Sequence, residues 1–253
     1  MIALVDKYRP ATIDGFRGLD RQKRILAKFA GAPYSSAWLL VGSSGIGKTT
    51  MGMALADTVG GQLHHIPSRK CDLATVEQTV DNCYYAPFFG GRFHTVLVDE
   101  ADQMTKPAQL AFLSVLDSTA PPPDTIFVFT ANDMTKLEER FVSRCRVIEF
   151  SSDEVNIVEM LEYIWSQESM GRGPKPNYEA IKKRANGNVR RAIMDLELEL
   201  IELPAPEPQE IKTETLWFND AGESLPWDVI KARLDSGDFD GIHFKEVPVA
   251  IAA

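Results

Sequence analysis

The feature that most constrains the fold of this chain is a glycine-rich loop placed between an apolar run and a helical pattern. The loop comprises Gly42, Ser43, Ser44, Gly45, Ile46, Gly47, Lys48, Thr49 and Thr50, and it fits the pattern G-x-x-x-x-G-K-T. In this pattern backbone N–H groups close around phosphate oxygens, the lysine reaches the terminal phosphates, and the next hydroxyl binds Mg²⁺. We therefore predict a nucleotide-binding P-loop, with Lys48 on the phosphates and Thr49 as a magnesium ligand. A glycine turn that precedes Lys-Thr by chance is the alternative.

A second motif supplies carboxylates. The apolar, β-branched segment 93–98 predicts a strand, and it ends in Asp99 and Glu100. We expect Asp99 to hold the magnesium shell and Glu100 to polarise an attacking water, because positioning and charge neutralisation supply most of the catalysis in phosphoryl transfer. Acidic residues after a strand are often only helix caps, and we assign that role to Asp102.

The composition is that of a globular protein with a real core, since 44% of the 253 residues are apolar. No apolar run has the length of a membrane span and no signal peptide is evident, so we expect an intracellular protein without membrane contact. Cys71, Cys83 and Cys145 fit no paired metal spacing, which favours reduced thiols. A metal site of His64 and His65 near Cys71 is the less favoured alternative.

The net charge of −9 argues against a chain that coats nucleic acid with its whole surface. Any contact with nucleic acid must therefore be local. Two clusters of basic residues are candidates, although such clusters are more often solvated helix faces: Arg21, Lys23, Arg24 and Lys28, and then Lys182, Lys183, Arg184, Arg190 and Arg191.

Alternating strand and helix patterns predict an α/β fold, a parallel sheet with helices on both faces and nucleotide at the carboxyl ends of the strands. We predict a first strand that ends at Val41, three strands at 63–66, 93–98 and 125–132, and a last strand just before residue 150. Helices are predicted within 19–30 and at 49–59, 73–83 and 107–117.

Three domains follow from these patterns. The α/β domain covers 1–150. Residues 151–203 form a helical lid, in which a capping box at Ser151 and Glu154 opens a helix to Gln167, and two helices follow at 178–185 and 189–203. Residues 204–253 begin with a proline-rich linker and carry ten acidic and four basic side chains. Within this last segment only a helix at 227–234 and a Ser-Gly-Asp turn are predicted.

Several motifs stand in the order found in one family. The Tyr8-Arg9-Pro10 opening followed by Gly18, the P-loop, the Asp99-Glu100-Ala101-Asp102 box and Ser143-Arg144-Cys145 resemble the AAA+ ATPase module of sliding-clamp loaders, over about residues 5 to 203. The four-cysteine zinc module of the bacterial gamma/tau subunits is absent. The chain is therefore more similar to replication factor C small subunits or their bacteriophage counterparts.

The resemblance implies roles for residues that chemistry alone leaves open. Tyr8, Arg9, Pro10, Phe16 and Gly18 would line the adenine pocket. Asn132 would be the sensor 1 residue that helps to orient the water, although asparagine at a strand end is also a common turn residue. Arg144 would be an arginine finger for the nucleotide of a neighbouring subunit. Arg190, in Gly187-Asn188-Val189-Arg190-Arg191-Ala192, would be the sensor 2 residue over the phosphates, whereas without the motif it would be a surface arginine.

The resemblance also implies a function. The chain would be a subunit of a clamp loader, a homo- or hetero-oligomeric ring or spiral that uses ATP and Mg²⁺ to open a sliding clamp and place it on primer–template DNA. Its partners would be the clamp and the other loader subunits, and it would act in the cytoplasm at replicating DNA, or in the nucleus of a eukaryote. Residues 204–253 would be a reduced form of the family's helical collar or a docking tail. The alternative is a nucleotide-switched AAA+ loader or remodeller of another partner, which would dock through the acidic tail.

Overall fold

The computed structural model describes residues 2–67, 70–88, 90–117, 121–171, 173–203, 212–236, 240 and 242–249. The chain divides into two compact units, Met1–Leu203 and Pro204–Ala253. The boundary predicted at residue 150, between the α/β domain and the lid, lies inside the first unit. None of the described helices has the length and apolar composition that crossing a membrane requires.

The first unit contains strands that alternate with helices. The strands are β1 Ser36–Gly42, β2 Gln62–Ile66, β3 His94–Val98, β4 Thr125–Ala131 and β5 Arg146–Phe150. The helices are α1 Leu4–Lys7, α2 Asp20–Gly31, α3 Lys48–Val59, α4 Leu73–Asn82, α5 Lys106–Asp117, α6 Glu139–Val142, α7 Ile157–Glu168, α8 Tyr178–Ala185 and α9 Val189–Ile201. The strands and helices predicted for residues 1–150 are all present, with slightly different bounds.

The five strands pair in parallel, in the order β2-β3-β4-β1-β5. Strands β3 and β4 are buried at every position, which fits their β-branched and aromatic composition, because a parallel sheet is covered on both faces. On one face α2, α3 and the lid helices pack against side chains such as Trp38 and Leu97. On the other face α4 and α5 pack against Val96 and Phe129. The predicted α/β class, with helices on both faces, is confirmed.

The predicted capping box at Ser151 is wrong. Ser151 caps a short 3-10 helix, Ser152–Glu154, and α7 begins only at Ile157. The carboxylate of Glu154 accepts a hydrogen bond from Gln22 Nε2 at 2.6 Å and so serves a tertiary contact. Long-range packing therefore overrides the local capping signal at this position.

The cause is the N-terminal segment 8–19, which we call the strap. Gly18 forms a backbone bridge with Val155, and Leu19 N donates to Glu154 O at 2.8 Å. Gly18 has φ +78°, and a Cβ built there would lie 2.1 Å from Glu154 O. Only glycine fits this close approach, which holds residues 152–155 out of a regular helix.

Three helices form the lid. Asn177 and Asn188 cap α8 and α9 by accepting backbone N–H bonds at Ala180 and Arg191. The buried side chains of α7, α8 and α9 join the core on the face of the sheet that α2 and α3 cover. The predicted helix 178–185 has its predicted bounds, whereas the helix predicted to reach 203 ends at Ile201.

The second unit was predicted incompletely. It contains β6 Lys212–Asn219, α10 Trp227–Ser236 and β7 Ile242–Val249, and the two strands pair antiparallel. The predicted helix is present, but the two strands were missed, so the described part of this unit is not all-helical. The proline-rich linker lies outside the described residues, as do two residues of the predicted Ser-Gly-Asp turn.

Candidate nucleotide-binding site

The register of the sheet brings the ends of three strands together. Val98 of β3 pairs with Phe129 of β4, and Val41 of β1 pairs with Ala131 of β4. The P-loop, Asp99 and Asn132 follow these strands directly, so they meet at the carboxyl edge of the sheet. This is where ligands bind in open parallel sheets.

Lys48 is the first residue of α3, and its side chain lies back along the P-loop. Its Nζ donates to Gly42 O at 2.7 Å, to Ser43 O at 2.9 Å and to Asn132 Oδ1 at 2.9 Å. Only 7% of Lys48 is exposed. Burial lowers its pKa below the usual value, and the nearby carboxylates Asp102, Asp99 and Glu100 oppose that shift. The ammonium group is thus held at the mouth of the loop by oxygen acceptors that a phosphate can replace.

Asp99 is the centre of a cluster of polar side chains. Thr49 Oγ1 donates to its Oδ1 through a very short hydrogen bond, and Thr130 Oγ1 donates to the same oxygen at 3.1 Å. His65 Nε2 lies 3.1 Å from Asp99 Oδ2. The two residues predicted to bind magnesium, Thr49 and Asp99, are therefore in direct contact.

The cluster includes two residues that the sequence analysis did not assign to this site. Thr130 is a hydroxyl residue within the buried run of β4, which is the only signal that the sequence contains. His65 was considered only as a metal ligand near Cys71. Its contact with Asp99 depends on the pairing of β2 with β3, which a single sequence does not reveal.

The two acidic residues after Asp99 differ in environment. Glu100 is exposed at the edge of the site, with φ +48°, and its N–H donates to Thr130 Oγ1 at 3.0 Å. Asp102 is 6% exposed, and its Oδ1 accepts from Asn132 N at 3.2 Å. The predicted role of Asp102 as a helix cap is wrong, because its carboxylate accepts the backbone N–H of Asn132. The side chain of Asn132 in turn accepts from Lys48.

A cavity of about 280 Å³ extends from the P-loop between the strap and the lid. Of the predicted binding residues, the cavity is lined by Tyr8, Arg9, Pro10, Phe16, Gly45, Ile46, Gly47, Thr50 and Arg190. The lid adds residues that the sequence analysis missed, namely Met160, Tyr163, Ile164, Val189 and Ile193. Gly18, predicted to line an adenine pocket, is not among the lining residues and instead forms the bridge to Val155.

Tyr8 ties the strap to the lid at the rim of this cavity. Its hydroxyl donates to Glu168 Oε1 through a very short hydrogen bond, and its ring meets that of Tyr163 edge-on, with 6.1 Å between centroids. Burial, followed by the bond to Glu168, raises the pKa of Tyr8. The guanidinium of Arg17 lies over the ring of Tyr163, 4.3 Å from its centroid. The rim is thus built from flat side chains, against which a planar base can stack.

The lid also contacts the P-loop directly. Arg190 N donates to Gly45 O at 3.2 Å. Gly45 has φ +76°, and a Cβ built there would lie 2.1 Å from Asn188 Oδ1. The exposed Arg190 side chain begins in the first turn of α9, where it lines the cavity.

Arg144 is placed differently from the other predicted catalytic residues. Its Nε donates to Asp117 Oδ1 in a very short ion pair, and its Nη1 donates to Arg140 O at 2.6 Å. It does not belong to the lining of the cavity. Within the described residues, its recorded partners lie on α5, α6 and the turn after α6.

The arrangement suits a nucleotide and a hard cation. The cavity is near the lower end of the volumes typical of ligand sites, about 300–1,000 Å³, and it leads onto a loop of phosphate-binding type. The hydroxyl of Thr49 and the carboxylate of Asp99 are oxygen ligands of the kind that Mg²⁺ prefers. The residues present therefore fit both groups.

Comparison with known proteins agrees with this geometry. Residues 38–152 match the model of the ATPase family associated with various cellular activities (AAA). The replication factor C small subunit of Methanosphaera stadtmanae is 28% identical over 198 residues, which cover 75% of this chain and 60% of that protein. Replication factor C subunit 3 of Blastobotrys adeninivorans is 28% identical over 251 residues, 94% of this chain and 72% of that protein.

A bacterial relative and a solved structure extend the comparison. The DNA polymerase III subunit gamma of Buchnera aphidicola is 27% identical over 224 residues, which cover 77% of this chain and 60% of that protein. A structure of Thermotoga maritima RuvB superposes with a TM-score of 0.62 at 20% identity over 75% of this chain and 64% of that one. This chain thus spans 60% of the length of the Methanosphaera stadtmanae and Buchnera aphidicola relatives.

Proposed function

We propose that this chain, of which residues 38–152 match the AAA family of ATPases, is an ATP-hydrolysing subunit of a sliding-clamp loader. It would bind ATP with Mg²⁺ and work in a homo- or hetero-oligomeric ring or spiral. ATP binding would close the subunits around primer–template DNA and hold an open clamp, and hydrolysis would release them.

One observation carries the ATPase part of the proposal. Lys48, Thr49, Asp99 and Asn132 come from three separate segments, yet Lys48 contacts Asn132 and Thr49 contacts Asp99 at one edge of the sheet. An ammonium group beside paired oxygen ligands is what phosphoryl transfer needs, because the charge on the phosphates must be neutralised. Mg²⁺, when bound by Thr49 and Asp99, supplies further charge neutralisation.

The remaining residues have distinct tasks in this scheme. Glu100 accepts a proton from the attacking water, and the bond from its N–H to Thr130 fixes the backbone from which its side chain extends. Asn132 orients the same water and is itself fixed by Asp102. Arg190 approaches the phosphates from the lid, so closure of the lid would add a positive charge to the site.

We assign Arg144 to the nucleotide of a neighbouring subunit. Its side chain is partly exposed, and its hydrogen bonds within the described residues go to α5, α6 and Ser143 and not to Lys48, Asp99 or Asn132, which supports this assignment. A guanidinium group is permanently charged and forms bidentate bonds with phosphates, so it stabilises the charge that develops at the γ-phosphate. Supplying it from a neighbour makes hydrolysis depend on assembly.

The clamp and the DNA enter the proposal through the relatives. Two of them are named as replication factor C subunits and one as a DNA polymerase III subunit. The match to Blastobotrys adeninivorans covers 94% of this chain, so it includes most of the second unit as well as the ATPase module. The partners that the sequence resemblance implies, the clamp, the other loader subunits and primer–template DNA, are therefore proposed for this chain.

Affinity purification tests the proposal. The bait is the tagged Glu100→Gln chain expressed in its own host, because a carboxamide at this position should spare ATP binding and trap the bound assembly. We expect a ring-shaped clamp and other loader subunits to be recovered with ATP and Mg²⁺ but not without nucleotide. The Lys48→Ala chain is the control and should recover neither.

Other outcomes have definite meanings. Recovery of a different, ATP-dependent partner would replace the clamp-loading role with that of a nucleotide-switched remodeller. If Glu100→Gln hydrolyses ATP at a near wild-type rate in a single-turnover assay, the assignment of Glu100 is wrong.

A further inference from the structure

Three side chains with metal-binding atoms converge on the sheet face opposite the lid. They are His64 of β2, Cys83 after α4 and His94 of β3, and their ligand atoms all lie within 4.8 Å of one another. The register explains the meeting of the two histidines. His64 pairs with Val96, two residues beyond His94, and side chains two apart on a strand share a face. Cys83 caps the C-terminus of α4, the helix that covers this face.

The cluster lies in the interior and opens on one side. Cys83 is 0% and His94 2% exposed, whereas His64 is half-buried on the edge strand β2. Val80 and Val96 belong to the apolar core on the same face. A small ion could therefore enter past His64 and be enclosed on its other sides.

The hydrogen bonds define which ring nitrogens are available. His94 Nε2 lies 2.8 Å from Tyr85 O, and a carbonyl oxygen only accepts, so His94 carries its proton on Nε2. Its Nδ1 therefore has a free electron pair, and His64 Nε2, 2.9 Å away, must donate to it. An imidazole that donates one N–H to a backbone carbonyl and presents the other nitrogen is the usual state of a metal-bound histidine.

We propose that His64 Nε2, Cys83 Sγ and His94 Nδ1 bind one Zn²⁺ ion, with water in the fourth position. Two imidazoles and a thiolate suit Zn²⁺, whereas Mg²⁺ takes oxygen ligands and belongs at Thr49 and Asp99. Two nitrogens on one tetrahedral Zn²⁺ lie about 3.3 Å apart, given Zn–N bonds of about 2.0–2.1 Å. The two nitrogens, now 2.9 Å apart, need to separate by only a few tenths of an ångström, while the rings turn toward the ion and Cys83 Sγ comes to about 3.5 Å from each nitrogen.

Zn²⁺ binding would change the protonation of these groups. Burial, followed by the neighbouring His94, lowers the pKa of His64. Burial raises the pKa of Cys83 to about 11, which disfavours the free thiolate, and a hydrogen bond with the side chain of Thr125 opposes that shift. On binding, the Cys83 thiol loses its proton to solvent and the His64 proton moves from Nε2 to Nδ1. One proton is thus released for each Zn²⁺ bound.

The site would have a structural role. It joins β2, α4 and β3, the segment between the P-loop helix and Asp99. His65, next to His64, contacts Asp99 itself. Zn²⁺ would therefore stabilise the strand pair that positions the carboxylate side of the nucleotide site, and its binding does not depend on the identity of the clamp or the DNA.

Metal titration of the full chain tests the inference. After treatment with a chelator, we expect one Zn²⁺ to bind per chain in competition with a chromophoric chelator, and Co²⁺ to give a thiolate charge-transfer band. Cys83→Ser should abolish that band. Cys83→Ser and His64→Gln should each weaken Zn²⁺ binding by more than the roughly 100-fold that loss of an outer-shell partner can cost. Cys71→Ser is the matched control, because Cys71 is also buried, at 2% exposure, but lies outside the cluster.

Folding is checked separately in each variant. His64 is the safest position for substitution because it lies at the sheet edge, and its variant should keep the wild-type circular dichroism spectrum and bind ATP. Removal of Zn²⁺ should lower the melting temperature of the wild type and of Cys71→Ser but not that of folded His64→Gln. Failure of the wild type to bind Zn²⁺, or equal binding by folded His64→Gln, would show that the cluster is only a hydrogen-bonded histidine pair.

Discussion

The nucleotide pocket and the surface around Arg144 differ in whether one chain completes them. In the pocket, Lys48 has three oxygen acceptors, two from the P-loop and one from Asn132 just after β4, and the cavity is closed by the strap and the lid of the same chain. Within the described part of the chain, Arg144 donates to Asp117 of α5, to the backbone oxygen of Arg140 in α6 and to Ser143 Oγ. We therefore expect nucleotide binding to be a property of the single chain and, under the proposed function, turnover to be a property of the assembly.

The energies of the two regions fit this division. Lys48 is buried, and moving it would expose its acceptors and leave a charge without partners. The ion pair of Arg144 and Asp117 is partly exposed, with side-chain exposures of 30% and 50%. Pairs of this kind contribute about 0–1 kcal/mol, because water screens them. Breaking the pair with Asp117 is therefore expected to cost little, as the proposed role of Arg144 at a neighbour's phosphate requires.

The largest effect is expected in the pocket. Lys48→Ala removes the ammonium group that holds the terminal phosphates and leaves the acceptors around it unsatisfied. We expect ATP binding to be lost in a fluorescent nucleotide assay, together with turnover. Lys106→Ala, which changes an exposed lysine on α5, is the control and should bind normally. Normal ATP binding by Lys48→Ala would mean that Lys48 does not hold the phosphates, and the contrast between the pocket and Arg144 would lose its basis.

The next effect concerns Arg144. Arg144→Ala should bind ATP like the wild type but lose about 10³-fold or more in steady-state turnover, as expected for an arginine finger. Arg140→Ala, on the short helix α6 just before Arg144, is the matched control for a local structural effect, and its turnover should be much closer to wild type.

Mixing two inactive variants tests whether Arg144 acts on the nucleotide of a neighbouring subunit. Arg144→Ala offers a pocket without a finger, and Lys48→Ala offers a finger without a working pocket. A mixture under conditions of subunit exchange should regain part of the activity, because some interfaces then pair the two intact halves. If exchange is confirmed and the mixture stays inactive, Arg144 acts within its own chain or only supports the fold.

The parts of the pocket differ in how far the sequence alone could predict them. Lys48, Thr49 and Asp99 belong to local patterns in which a strand, a loop and a helix follow one another, so both their elements and their meeting point could be predicted. The contacts of Asp99 with His65 and Thr130 depend on which strands are neighbours and on their register. Both are non-local properties, which cannot be predicted from the local patterns of one sequence. The same holds for the meeting of His64, Cys83 and His94.

Two errors outside the pocket have physical causes of a similar kind. Local capping at Ser151 was overridden by the bridge between Gly18 and Val155. Strand β7 was also missed, and it contains Pro248, a residue that is unfavourable inside a strand because it has no backbone N–H. It is tolerated because both strands of a two-stranded sheet are edge strands, so a missing N–H donor costs less there.

A smaller effect is expected at Asp117. Asp117→Asn removes the charge that holds Arg144 within its own chain, but an exposed pair of this kind contributes about 0–1 kcal/mol, which corresponds to a rate change of at most about fivefold. We therefore expect turnover of the assembled protein to change by no more than this factor in steady-state assays. A loss as large as that of Arg144→Ala would mean that the ion pair itself is required, and that Arg144 has a structural role.

The smallest effect on nucleotide binding is expected from removal of the second unit. Residues 204–253 form a compact unit of their own, and the residues that line the cavity all precede Leu203. The truncated chain should therefore melt cooperatively and bind ATP within about twofold of the wild-type affinity. The reason is that its hydrophobic core and the caps of its helices are complete without the second unit. Turnover should fall only as far as assembly falls, which sedimentation at several protein concentrations measures. Weakened ATP binding by the truncated chain would show that the pocket depends on the second unit. The contrast between a pocket that residues 1–203 complete and an Arg144 that acts only in an assembly would then be wrong.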